Sequence, residues 1–208
     1  MPMTQTRTLY QIDELPTEKA KAAARQWFTD VVMAGDTNYA DTVLEEADDF
    51  AALMGITIDT ERNGSPRILW SGFYTQGDGA CFTGGYVFKA GALAALKEEA
   101  PQDAKLLQIA ADLFTLQQDN AFALRAEISH RDRYTHSGSV DIHVTLGEDG
   151  DVTPETERAL ADVLRRYMDW IWEQLREAYE AETSDEAVNE TLQINGYWFD
   201  ETGKHVAV

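Results

Sequence analysis

"RAEISHRDRYTHSGSVDIHVTL", residues 125–146, decides the fold class. Val140, Ile142, Val144 and Leu146 alternate with Asp141, His143 and Thr145. Upstream, Leu124, Ala126 and Ile128 alternate with Arg125, Glu127 and Ser129. A period of two on both sides of a turn-rich centre predicts an antiparallel hairpin with one buried face. Parity also disposes of a metal centre. His130 continues the apolar side of the first strand and His143 lies on the polar side of the second, so one ion cannot take both. The polar face gathers Arg125, Glu127, Ser129 and Arg131 against Ser139, Asp141, His143 and Thr145. Opposite charges across strands stabilise a hairpin by a few tenths of a kcal/mol each. The chemical alternative makes Glu127, Asp141 and His143 an acid–base constellation beside two arginines.

Helical patterns flank this hairpin. Thr17 caps a run through "EKAKAAARQWFTDVVMAG" that Gly35 ends. A second helix, "NYADTVLEEADDFAALMG", keeps Ala40, Val43, Leu44, Ala47, Phe50, Ala51 and Met54 at three-and-four spacing and stops at Gly55. "AGALAALKEEA" and "DAKLLQIAADLFTLQQDNAFAL" are separated at Pro101. The longest helix is expected over about 153–182, with Leu160, Leu164, Tyr167, Ile171, Leu175 and Tyr179 buried and Trp170 and Trp172 at the edges. Thr183 to Glu186 reads as a capping box for one more short helix. Shorter strand patterns are "RTLYQIDEL", "ITIDTE", "RILWSGF", "ACFTGGYVF" and a terminal hairpin over 196–208. Helices and antiparallel hairpins alternate without a βαβ rhythm, which predicts an α+β fold: antiparallel hairpins packed with several amphipathic helices, in a single domain over 1–208.

The loop "WSGFYTQGDGACF", residues 70–82, places Asp78 between Gly77 and Gly79. A phosphate cradle would open a helix, and a strand follows instead. A calcium loop needs more oxygen ligands. A tight hairpin with Asp78 bonding its own backbone satisfies the pattern. Gly72, Gly84 and Gly85 weaken strands unless a packed element or a ligand approaches closely, so Trp70, Tyr74, Gln76 and Asp78 are candidate recognition residues. Cys81 has no local cation or helix N-terminus to lower its pKa and reads as a half-buried structural thiol.

Composition narrows the partners. Thirty-seven acids against seventeen bases give −20 and a pI near 4.4 in 208 residues. That field repels nucleic acid and anionic lipid, favours a monomer and suits a basic protein partner; the plainer account of it is solubility or salt adaptation. No run is long and apolar enough for a membrane span. The N-terminus lacks a signal-peptide pattern and the one cysteine fits a reducing cytoplasm. Residues 36–61 hold eight acids and no base. Carboxylates three and four apart on a helix repeat at about 6 Å, a scale comparable to nucleic-acid phosphates at 3.4 Å per strand. Asp41, Glu45, Asp48 and Asp49 are therefore the candidate contact residues.

"SGFYTQGDGACFTGGYVF", "APQD", "ISHRDRYTHSGSVDIHV", "YMDWIWEQLREAYE" and "TSDEAVNETLQINGYWFDETGK" occur in this order. Together they resemble a family of uncharacterised bacteriophage and prophage proteins that carry the label antitoxin of toxin–antitoxin stability system. The likeness runs from about Leu9 to Lys204 and brings no catalytic residues with it. It implies a protein acting inside a bacterial cell, where small acidic phage proteins neutralise nucleases, defence complexes or toxins. The expectation is an acidic binding protein, without cofactor or metal, that neutralises a nucleic-acid-handling protein. The alternative is a small-molecule-binding protein or enzyme built on the 70–86 glycine-rich hairpin and the polar face of the 125–145 hairpin.

Overall fold

In a computed structural model the alternating stretch forms strands β5 (Leu124–His130) and β6 (Val140–Leu146). Residues 7–131, 133–148 and 150–207 are described. With β1 (Ile56–Ile58) and β4 (Gly84–Val87) they make an antiparallel sheet of order β1-β4-β5-β6. The register lines side chains up in rows. Ile56, Tyr86, Ala126 and Val144 form one buried row; Thr57, Gly85, Glu127 and His143 form the next, on the opposite face. Parity therefore sorts the two faces as the sequence predicts, and His130 and His143 diverge.

A two-stranded sheet pairs β2 (Ile68–Ser71) with β3 (Gly79–Phe82). The expectation of one strand over "ACFTGGYVF" is corrected here. Thr83 divides it, and β3 and β4 join different sheets. The buried Thr83 hydroxyl donates to Asp59 Oδ2 at 2.6 Å, and Asp59 N–H donates to the Thr83 carbonyl at 2.8 Å. The break is thus held on both its side-chain and backbone groups.

Helices are α1 (Glu18–Trp27), α2 (Asn38–Met54), α3 (Ala92–Glu99), α4 (Ala104–Asp119), α5 (Pro154–Glu182) and α6 (Asp185–Ile194), so the fold is α+β. Thr17 caps α1 as expected, accepting from Ala20 N–H at 3.1 Å. Three boundaries differ from the sequence reading. Residues 12–14 are a 3₁₀ turn, with only Tyr10 bridged to Phe199, because Ile12 and Leu15 are both drawn into a core. Ser184, one residue later than expected, caps α6 by accepting from Ala187 N–H. Asn120 ends α4 before "AFAL", where Ala121 and Phe122 take positive φ.

By its contacts the chain clusters into two compact units, residues 1–39 with 177–208, and residues 40–176. In the first, Ile12, Ala20, Ala24, Phe28, Val188, Leu192 and Phe199 form a core with Trp27 and Tyr197 packed on it. In the terminal hairpin Phe199 bridges to His205, and His205 stacks on Trp27 at 3.9 Å. In the second, α5 buries Leu160, Leu164, Tyr167, Met168, Ile171 and Leu175. Trp170, expected at the edge, is buried: it stacks on Tyr167, meets Phe50 and donates to Asp103 Oδ2 at 2.7 Å. Gln117 is wholly buried and satisfied, bonding both N–H and C=O of Leu124 and the Tyr86 hydroxyl. That amide ties the end of α4 to the start of β5 without an unpaired group.

Candidate functional site

The glycine-rich loop is a self-bonded turn. Asp78 Oδ2 accepts from Tyr74 N–H at 3.0 Å and Thr75 N–H at 2.7 Å, and Oδ1 accepts from the Thr75 hydroxyl at 2.7 Å. These bonds, led by the Thr75 hydroxyl, hold its carboxyl below the usual aspartate range. Gly72 is required because a Cβ there would sit 2.6 Å from the Asp78 carboxylate. Gly79 is required because a Cβ would sit 2.5 Å from that of His136. The loop's glycines therefore admit a carboxylate on one side and the β5–β6 connection on the other.

The two hairpins consequently meet. Thr135 Oγ1 donates to Ser71 Oγ at 2.8 Å, and Trp172 Nε1 of α5 donates to the Gly72 carbonyl at 2.8 Å. Gly77, Asp78, Gly79, His136, Ser137, Asp169, Trp172 and Glu173 enclose an open cleft of about 510 Å³. Of the candidate loop residues only Asp78 reaches it. Trp70 stacks on Phe73 at 5.8 Å, Tyr74 is 74% exposed, and Gln76 is exposed. His136, Asp169 and Trp172 were not singled out from sequence. Their signals were a histidine in the hairpin connection and an Asp-x-x-x-Glu spacing on α5, neither of which marks a site without the loop packed beside it.

Of the Glu127, Asp141, His143 constellation, Glu127 faces His143 across the strands, Asp141 lies two register positions along on the same face opposite Ser129, and Arg125 faces Thr145. Among the described residues no ion pair joins these side chains, so the expected cross-strand charge pairing is absent as well. Cys81 is fully rather than half buried; burial pushes its thiol up, with Ser139 Oγ at 3.9 Å as a weak donor. No group of three metal-ligating side chains occurs among the described residues. Nor is any helix among them long and apolar enough to cross a membrane.

The acidic candidates do converge. Asp41, Glu45, Asp48 and Asp49 line an open groove of about 730 Å³ between α2 and the turn at residues 63–66. Among the described residues, no cationic side chain pairs with any of the four. Burial, and then the neighbouring Asp49 carboxylate, push Asp48 above its ordinary value of 3.8. A raised folded-state pKa means a stability contribution complete below the unfolded value and lost as pH rises through the folded one. Asp48→Asn is accordingly expected to raise the melting temperature at pH 7 by about 1–2 °C. The gain should vanish below the ordinary aspartate value, and melts at pH 7 and pH 3 compare the two.

Comparison with known proteins places the chain without assigning an activity. No curated protein and no solved structure matches it. A family model matches residues 39–185, a span that contains the whole of the 40–176 unit. On that match, the chain belongs to the family described as a domain of unknown function, DUF8835.

Proposed function

We propose that the chain is an acidic binding protein of the phage type that neutralises a nucleic-acid-handling host protein or toxin, occupying its basic surface with α2. The observation that carries this reading is the groove of four carboxylates left without cations. Three acids on α4 and α5 are paired by contrast: Glu173 with Lys105, Asp112 with Arg166 and Asp162 with Arg165. In the α2 set burial, and then the Asp49 carboxylate, raise Asp48, and a partner's lysines and arginines would offset that repulsion.

Spacing agrees with the same reading. Asp41, Glu45 and Asp49 stand four apart along one helix face. At a rise of 1.5 Å per residue they repeat at about 6 Å along the axis, near the axial rise of about 6.8 Å over two phosphates of one DNA strand. A neutral hydroxyl or amide in their place would keep the shape and lose the charge.

The test compares the chain with the variant Asp41→Asn, Glu45→Gln, Asp48→Asn, Asp49→Asn, both immobilised and exposed to bacterial lysate at about 50 and 300 mM salt. Nucleic-acid-handling proteins should be retained by the parent at low salt, released at high salt or by added duplex DNA, and reduced at least tenfold on the variant. Equal retention of the same proteins on both columns would sink the reading.

A further inference from the structure

Between α4 and β5 two consecutive residues other than glycine, Ala121 and Phe122, take φ of +54° and +60°. Left-handed backbone is a strained place for a phenylalanine and persists only where the surroundings fix it. Here Phe122 N–H donates to the Gln117 carbonyl at 2.7 Å and Ala123 N–H to the Asn120 carbonyl at 3.1 Å, while the buried Gln117 amide holds Leu124 on both backbone groups. The ring of Phe122 is thereby kept out of the core. It is 43% exposed and lies 4.6 Å from Phe88 and 6.1 Å from Phe114, which is itself 44% exposed on α4. Phe88, Phe114 and Leu93 line a shallow depression that continues the patch onto α3. Single exposed apolar side chains are ordinary, whereas three contiguous aromatic rings mark an interaction surface.

Charge selects the partner. The acidic field repels a copy of the chain from its most acidic segments: residues 36–61 carry eight acids and no base, and residues 148–190 carry fourteen acids and four bases. The segments that build the patch differ. Residues 86–97 hold Lys89 and Lys97 and no acid, and residues 104–118 hold Lys105 and Asp112, both paired to α5. A basic partner is drawn to the bare carboxylates of α2 and repelled by these lysines; a second copy meets less repulsion here than there. The rim is also self-complementary in sign. Lys89 adjoins Phe88, Asp119 stands three residues before Phe122, and neither has an ion pair among the described residues. The Lys89 ammonium spends one donor on the Ala52 carbonyl and keeps two. Across a two-fold axis each residue of one copy meets a different residue of the other, so one Lys89–Asp119 contact is made twice.

We propose that the Phe88, Phe114, Phe122 patch is a two-fold interface on which a second copy of this chain docks, with Lys89 of each copy against Asp119 of the other. Sedimentation velocity of the full chain over about 1–300 µM tests it. The sedimenting mass should rise from the 23.3 kDa of one chain to twice that. Dimerisation should tighten as salt rises from about 50 to 300 mM, because screening removes repulsion between two acidic chains. That is the opposite sign to binding through α2, so the two contacts are told apart. Phe114→Gln, at an exposed helix position, and Phe122→Gly, which suits φ +60°, should each weaken the dimer at least tenfold with the melting transition retained. Asp119→Lys should weaken it about fivefold, and Lys89→Asp in the same chain should restore it. A chain that stays monomeric throughout overturns the proposal, as does a dimer indifferent to both phenylalanine substitutions or a charge swap that restores nothing. A monomer that retains a lysate protein through Phe114 and Phe122 gives the face to a foreign partner and likewise overturns it.

Discussion

Gly84→Ala is expected to destabilise the 40–176 unit by about 4 kcal/mol, and the reason is steric on two counts. Gly84 has φ +148°, a conformation that side chains rarely adopt. A Cβ there would also lie 1.9 Å from the Thr57 carbonyl oxygen, well inside contact distance. Backbone on the adjacent strand cannot move aside as a flexible side chain would. Since β1 is joined to the sheet through β4 alone, the strain falls on the pairing that holds Ile56 and Ile58 in the core. Gly85→Ala is the internal control. Its Cβ would meet only the Ala126 carbonyl, at 3.2 Å, and the expected loss is about 1 kcal/mol or less. Urea midpoints with unchanged slopes measure both. Equal midpoints for the two variants would mean that the tight β1–β4 approach is not what holds this edge.

Tyr167→Ala is the other severe substitution, with a loss of about 4 kcal/mol. Tyr167 is fully buried on α5, stacked on Trp170 with ring centroids 5.6 Å apart and edge-on to Phe82 at 6.2 Å. Its hydroxyl donates to the Ala47 carbonyl in the middle of α2, and burial drives its pKa well up. One side chain thus ties the long helix to β3 and to the helix that bears the acidic groove. Tyr167→Phe retains the rings and removes only the hydroxyl, so its cost should be about 1 kcal/mol. Tryptophan fluorescence during urea unfolding reports both variants, because Trp170 lies against the altered ring. A phenylalanine variant as unstable as the alanine one would show that the hydrogen bond, not the packing, dominates this site.

The candidate sites were legible to different degrees, and the difference is physical. Asp41, Glu45, Asp48 and Asp49 were readable because a helix maps spacing directly onto a face. The self-bonded Asp78 turn was readable from glycine and Asx chemistry within six residues. His136 lies more than thirty residues before Asp169 and Trp172 of α5, and the glycine loop meets it because Gly79 lets one loop press on another. No periodicity encodes such a meeting. Parity puts Glu127, Asp141 and His143 on one face, but only the register shows that Glu127 and His143 stand directly opposite and Asp141 two positions along.

By itself the sequence determined the helices, the two-faced hairpin, the stops at Gly35 and Gly55, and the acidic field. Each of these follows from local conformational preference, from solvent contrast along one element, or from a sum of charges. Tertiary structure alone decided that Thr83 splits one apolar run between two sheets and that contacts form two units. It also decided that Lys105 and Arg166 pair with Glu173 and Asp112 while the α2 groove stays bare. Those outcomes depend on which distant surfaces bury each other, and that choice is made by packing and close approach across the chain rather than by any residue's neighbours in sequence.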